Sequence, residues 1–404
     1  MTHRRQFLKS ALAGTTAISL SGRMPKFLSG ASKLESCNSE NILVVIQMSG
    51  GNDGLNTVIP YGDDEYYKNR FTLSFNKNQV LKIDDHVGLH PALSGFDQLL
   101  QANQIAIIQG VGYEHPNRSH FESMDLWNTA HRTDEKSNYG WLGRTVENHF
   151  LKEDLAAIHL GKGLQPLALK TVTRPVPSIR SIDNFKLRSI QGDRNIEALT
   201  KAVETHRPSN NYLLDYIQNS AQITLSTSQR IEGLKKRPSN PTGYPATDLG
   251  TNLRVIADLI ESDLPTRIYY VTLNGFDTHS NQAATHQNLL NDLDNSISAF
   301  RKQLELGKNA DRVAIFSFSE FGRRVRGNAS RGTDHGTAAP VFVCGQKVNG
   351  GVIGTPPNLV DLDQGDLKYQ IDYRRVYSDL LKNWLGVAPG EILDGQFESL
   401  DLFS

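Results

Sequence analysis

The chain has 404 residues, with Lys and Arg totalling 43 and Asp and Glu also totalling 43, so its formal net charge is zero. That balance excludes recognition of nucleic acid or of an anionic membrane surface by bulk charge. The only cysteines, Cys37 and Cys344, do not make a disulfide framework, and no segment beyond the amino terminus is apolar for long enough to cross a bilayer.

Thr2-His3-Arg4-Arg5-Gln6-Phe7-Leu8-Lys9 reads as a twin-arginine export signal. Its basic residues precede a mild apolar stretch, Ala11 to Leu20, too short to span a membrane stably, and Ser29-Gly30-Ala31 offers small residues for processing. Residues 1–31 are therefore expected to be a signal peptide. Its reader is the twin-arginine export machinery, which carries folded proteins, often with a metal already bound. The mature chain belongs in the periplasm or outside the cell.

Short β-branched runs follow, each ending in glycine and polar residues: Ile42 to Ile46, Gln104 to Gln109, Ala157 to Leu160, Arg267 to Leu273, Arg312 to Phe318 and Pro340 to Cys344. Helical patterns lie between and after them at Ala92 to Ala102, Asn252 to Ile260, Thr285 to Leu304 and Tyr373 to Leu385. Apolar runs without alternation suit strands covered on both faces. The order predicts an α/β protein, a three-layer α/β/α sandwich around a mostly parallel sheet spanning residues 40–404. Residues 162–250, poor in strands and closing in a turn-rich stretch, read as an insertion or lid. Cys344, inside an apolar run, is expected to pack as a small buried hydrophobe.

In such a sheet ligands gather at the carboxyl ends of strands. Four strand ends carry polar clusters: Ser49-Gly50-Gly51-Asn52-Asp53-Gly54, His115-Pro116-Asn117-Arg118-Ser119-His120, Asn274-Gly275-Phe276-Asp277-Thr278-His279, and Ser319-Glu320-Phe321-Gly322-Arg323-Arg324 with Gly332-Thr333-Asp334-His335-Gly336 shortly after. They are expected to converge on one edge. Asp277 and His279, two apart at an extended strand end, can point at one metal ion. Glu320, Asp334 and His335 enlarge the ligand inventory, and mixed carboxylate and imidazole donors suit Zn²⁺ or Mn²⁺.

Ser119 opens a helix through Phe121, Met124 and Trp127, and Ser119-x-x-Glu122 is a capping-box pattern. A hydroxyl at a helix amino terminus also sits where an anion is favoured, and a neighbouring metal would activate it as a nucleophile. Arg118 and His120 can hold an anion or protonate a leaving group. The glycine loop fits neither a dinucleotide fingerprint nor a Walker loop. Its glycines let the backbone turn sharply, and Asp53 is a metal ligand or a turn former.

These motifs, with Met48 before the glycine loop, resemble in their order the exported bacterial proteins known as domain of unknown function 1501, over nearly the whole mature chain. That family is similar in turn to the alkaline phosphatase and sulfatase superfamily. The resemblance implies an alkaline phosphatase-like sandwich that hydrolyses phosphate or sulfate esters at a nucleophile held between divalent ions. Asp277 and His279 match one metal site, His335 the late His ligand, Asp53 the region of the first Asp, and Ser119 the nucleophile position. Glu320 stands where the superfamily has Asp, Phe321 where it has a His ligand, and Asp53 comes several residues late, so the pattern suits one metal rather than two. The expected reading is an exported metal-dependent hydrolase acting on a small-molecule or glycan ester. Ser119, Arg118 and His120 are its catalytic residues, and Asp277, His279, His335, Glu320, Asp334 and Asp53 its metal residues. A second reading is a non-catalytic relative that binds a glycan, an envelope component or a partner protein.

Overall fold

The computed structural model of the chain describes residues 40–131, 137–151, 153, 155–179 and 242–404. The expected signal peptide, Cys37 and residues 180–241 of the expected insertion lie outside the described residues. Strand β1 (Ile42–Ser49) is the centre of a nine-stranded sheet. The short strands β2 (Val58–Ile59), β3 (Leu81–Lys82) and β4 (Gly88–Leu89) make a small separate sheet, with helix α1 (Asp64–Asn69) between β2 and β3. Helix α2 (Ser94–Gln101) leads to β5 (Ile105–Gly112), helices α3 (His120–Thr129) and α4 (Trp141–His149), then β6 (Ala157–Leu160) and β7 (Ser178–Ile179). Helix α5 (Asp248–Glu261), β8 (Ile268–Asn274), helix α6 (Gln282–Leu306), β9 (Val313–Phe318) and β10 (Ala339–Gly345) come next. The chain closes with β11 (Gly351–Ile353), a two-stranded pair β12 (Leu362–Asp363) and β13 (Asp366–Leu367), then β14 (Ile371–Asp372) and helix α7 (Tyr373–Asp379).

The sheet runs β11-β5-β10-β9-β1-β8-β6-β7, with β14 also on β5. Every pairing in it is parallel except those of β10, which is antiparallel to both β5 and β9. The reversal has a consequence for the site. The Gly332–Gly336 cluster precedes β10, and only an antiparallel β10 brings its beginning to the edge where β1, β5, β8 and β9 end.

Side-chain alternation along β1 explains its unbroken apolar run. Ile42, Val44, Ile46 and Met48 join one core with α2, α5 and α6, whereas Leu43 and Val45 join the other with α3, α4 and α7. Both faces are covered, so neither parity can be polar. Cys344 packs in the first of these cores as a buried free thiol, as its apolar setting implies. The described ends of the 162–250 segment belong to this sandwich: β7 adds an edge strand beyond β6, and α5 begins at Asp248. Among the described residues no helix is long and apolar enough to cross a membrane.

A buried ion pair ties the glycine loop to the β2–β3 region. Arg70, wholly buried, donates through Nη1 to Asp53 Oδ2 (2.5 Å) and through Nη2 to Asp53 Oδ1 (2.9 Å). Its Nε and Nη2 also donate to the carbonyls of Val325 (2.6 Å) and Arg324 (2.8 Å), and Gln282 Nε2 donates to Asp53 Oδ2 at 2.5 Å. Burial alone would push Asp53 upward. The charge and hydrogen bonds of Arg70, with His286 and Gln282, outweigh it and hold the carboxyl below its ordinary range.

Because that folded value is depressed, the pair stabilises the fold above the unfolded carboxylate range and loses its contribution as pH falls through the folded value. Arg70→Met strands a buried carboxylate and should cost about 3–5 kcal/mol. Urea unfolding at neutral pH should show this as a lower midpoint at unchanged slope.

Candidate metal centre

Neighbouring strand ends supply the site. Parallel pairing sets Ser49 of β1 opposite Asn274 of β8, and Gln47 opposite Phe318 of β9, so the residues that follow all three leave the sheet side by side. The loop after β1 turns immediately under two glycines. At Gly50 (φ 121°) a Cβ would come within 2.3 Å of the Asp277 backbone nitrogen, and at Gly51 (φ 80°) within 2.4 Å of the Phe321 ring. The glycines are thus required by the approach of the neighbouring strand ends.

Asp277 Oδ1 is the hub. It lies 2.9 Å from His279 Nε2, 3.1 Å from His335 Nε2 and 3.6 Å from His120 Nε2, while Arg323 Nη2 donates to it at 2.7 Å. His279 Nε2 and His335 Nε2 are themselves 2.9 Å apart. Each ring is held from behind through its other nitrogen. His120 Nδ1 is 2.8 Å from Glu320 Oε1, His279 Nδ1 is 3.2 Å from Asp334 Oδ1, and His335 Nδ1 donates to the Arg118 carbonyl at 2.8 Å.

This arrangement decides what the centre can take. With Nδ1–H directed at an acceptor, each neutral ring presents an Nε2 lone pair, and the three lone pairs face a carboxylate oxygen. His120 Nε2 is buried and has no hydrogen-bond partner among the described residues. Apart from Arg323, which donates to Asp277, the group gathers acceptors that repel one another unless a cation lies among them, and imidazoles backed by carboxylate or carbonyl are the usual form of metal-binding histidine. His120, Asp277 and His335 form a group whose ligand atoms lie within 4.8 Å of one another and can hold a metal ion, with His279 beside it.

The electrostatics agree. Burial would raise Asp277, but its neighbours, Arg323 foremost, outweigh it and bring the carboxyl down to about 2, so it stays ionised. The hydrogen bond to Glu320 is the largest of the influences on His120 and moves that ring upward, making it a more basic donor. Phe321 closes one side, its ring centroid 4.8 Å from that of His120 and 4.9 Å from that of His335.

The sequence-predicted residues divide into distinct layers. Asp277, His279 and His335 meet as expected. His120, expected among the catalytic residues, places its Nε2 with the ligand atoms. Glu320 and Asp334 stand behind His120 and His279 rather than at the centre: Glu320 is buried and also accepts from Gly50 N at 2.9 Å, and Asp334 also accepts from Asn328 Nδ2 at 3.2 Å. Asp53 is not brought to the group, since Arg70 and Gln282 occupy both its oxygens. Arg118 contributes its carbonyl, while its guanidinium pairs with Asp366, whose side chain is fully buried. Ser119 is the N-cap of α3 but makes no side-chain capping bond. Asn117 Oδ1 takes the Ser119 N–H at 2.7 Å in a local turn, which replaces the expected capping box.

Arg323 joins the site without a local sequence signal. It is buried, and its guanidinium donates to the carbonyls of Gly51 (2.7 Å), Thr333 (2.9 Å) and Phe276 (2.9 Å), to that of Gly50, and to Asp277. Nothing in the spacing of Arg323 distinguishes it from its solvated neighbour. Gln282 likewise carries no local signal, yet its Oε1 accepts from Thr278 (3.1 Å) and Thr333 (2.6 Å) and so joins two of the site loops.

Fold and site together define a class: an α/β/α sandwich with a histidine and aspartate cluster at the carboxyl edge of its sheet. The chain belongs to the family of proteins of unknown function designated DUF1501, whose model matches residues 40–366. No curated protein matches it. Among solved structures it is similar to Ps i-CgsB in complex with k-i-k-neocarrahexaose (11% identity, 88% of this chain and 75% of that one, TM-score 0.41). It is also similar to the C-terminal periplasmic domain of EcEptC from Escherichia coli in complex with Zn (8%, 77% and 75%, 0.38). A third similar structure is the alkaline phosphatase of the Antarctic bacterium TAB5 (11%, 78% and 94%, 0.36).

Purified full-length protein loaded with Zn²⁺ or Mn²⁺ should retain about one ion per chain by mass spectrometry, and the double variant His279→Ala, His335→Ala should retain none. Glu320→Gln weakens the acceptor behind His120 and should lower metal affinity by about 10–100-fold in a chelator competition, with the fold intact by circular dichroism.

Proposed function

We propose that the protein is an exported, metal-dependent hydrolase of phosphate or sulfate esters. The observation that carries this reading is the set of three backed imidazoles facing one ionised carboxylate, next in the chain to a serine at a helix amino terminus. A bound Zn²⁺ or Mn²⁺ would supply charge stabilisation to an anionic ester and lower the pKa of a nearby hydroxyl. Ser119 is the nucleophile: its hydroxyl is not spent on capping, and the first N–H groups of α3 favour the ester's negative charge. Ser119 Oγ attacks phosphorus or sulfur as the bond to the leaving alcohol breaks. The serine proton passes to a neighbouring base and the alcohol takes up a proton, and water then releases the anion from the serine.

Arg323 supports one ion rather than two. Its guanidinium already occupies the buried side of Asp277, and a second cation there would face a fixed like charge. Arg118 needs its partner Asp366 to yield before it can bind an anion. That observation favours the second reading, a protein that binds a glycan or envelope component without turning it over. The expected twin-arginine signal fits a periplasmic or extracellular location under either reading.

Metal-loaded protein should hydrolyse p-nitrophenyl phosphate or p-nitrophenyl sulfate. Ser119→Ala should lower kcat on the order of 1000-fold while keeping its metal, and EDTA should abolish turnover reversibly. Stoichiometric metal with no turnover of either ester would move the assignment to the binding protein.

A further inference from the structure

The three imidazoles of the metal centre are backed unequally. His335 rests on a main-chain carbonyl, and His120 on Glu320, whose side chain is 2% exposed and is fixed by the N–H of Gly50. Behind His279 stands Asp334, and these two side chains are 44% and 57% exposed. A contact so open to water does little to hold two side chains in one geometry, so a further group is needed to fix it.

Asn328 is that group. Its Nδ2 donates to Asp334 Oδ1 at 3.2 Å, the same oxygen that faces His279 Nδ1, and to the carbonyl of His279 itself at 2.9 Å. Its Oδ1 accepts from the N–H groups of Ser330 (2.9 Å) and Gly332 (3.0 Å). Both N–H bonds and both lone pairs of one carboxamide are in use, which fixes the amide plane. Among short side chains asparagine alone carries that set, since aspartate has no donor and serine a single one. The turn it closes lies directly on the ligand loop. The carbonyls of Ser330 and Arg331 accept from Asn281 N and Gln282 N, both at 2.9 Å, and Thr333 N donates to the Thr278 carbonyl at 3.2 Å. At Gly332 a Cβ would come within 2.2 Å of the His279 carbonyl carbon. Those main-chain bonds bring the turn against residues 278–282 but orient neither side chain of the His279 and Asp334 pair.

We infer that Asn328 is a positioning residue of the metal centre: its amide fixes Asp334 Oδ1 behind His279, which keeps the proton of that ring on Nδ1 and turns the Nε2 lone pair toward His335 and Asp277. The inference rests on the metal-centre reading for the ion alone, because the orientation and tautomer of His279 are set with or without one.

Two measurements on the full-length protein test it. In metal-free protein carrying ¹⁵N-labelled histidine, long-range ¹⁵N–¹H NMR at neutral pH should show His279 as the Nδ1–H tautomer, and as a mixture of tautomers in Asn328→Ala. In a chelator competition for Zn²⁺, Asn328→Ala should bind about tenfold more weakly at an unchanged melting temperature. That loss should shrink to about threefold or less in an Asp334→Ala background, where the acceptor that the amide orients is gone. If Asn328→Ala melts early, Asn328→Ser takes its place, since its hydroxyl still accepts from the turn amides without supplying two donors. A His279 tautomer that the variant leaves unchanged, an unchanged Zn²⁺ affinity, or a loss as large without Asp334 as with it overturns the inference. Tautomer mixing in the variant of a protein that retains no ion would instead overturn the metal-centre reading and leave the positioning of His279 standing. Zn²⁺ held equally well by wild type and variant would do the reverse.

Discussion

The buried guanidinium of Arg323 is the interaction on which the site depends. A single planar cation with five N–H donors joins the carbonyls of Gly50, Gly51, Phe276 and Thr333 to the carboxylate of Asp277. Those acceptors come from the loops after β1 and β8 and from the approach to β10. Irregular backbone leaving a sheet exposes carbonyls that have no ladder partner, and leaving them dry and unpaired would be costly. Lysine could not replace this fork, because three donors on a flexible stem cannot reach so many fixed acceptors. The same contact holds Asp277 ionised and fixes one of its oxygens in front of the histidines.

A second buried arginine performs related work one layer away. Arg70 joins Asp53 to the 324–325 backbone, and Gln282 links Asp53 to Thr278 and Thr333. The loops that carry Asp277, His279 and His335 are thus anchored from below by paired charge and amide bonds. Such pairs add little net stability over an apolar substitute, but removing one partner is severe, so they define one geometry more than they strengthen the fold. The proposed metal centre needs that definition, since ligand atoms must stay close to their positions before an ion arrives.

Much of the fold was legible in local pattern. The apolar runs at Ile42 to Ile46 and Arg312 to Phe318 carry no alternation because helices cover both faces, and each is a strand of the central sheet. The direction of β10 was not legible, because period and composition do not distinguish a strand from its reverse. At the site, Asp277 and His279 could be paired by their spacing, and His335 by its motif. The layer each acidic residue occupies was beyond reach. Glu320 and Asp334 have the same ligand chemistry as Asp277, yet stand behind imidazoles because Gly50 N and Asn328 draw their oxygens away. Asp53, a ligand or a turn former by its place in the sequence, is paired with Arg70.

By itself the sequence determined the sandwich and the set of residues at its carboxyl edge, because hydrophobic period and turn chemistry act over a few residues at a time. It also carried the family, whose motifs are short and ordered along the chain. Only the tertiary structure decided which of those residues face one another. His120, Asp277, His279 and His335 meet across long sequence separations, and so do Arg323 and Glu320 with the glycine loop. Long-range pairing depends on strand direction, on register and on competition among acceptors for a few buried donors. None of these leaves a mark in the local pattern of residues.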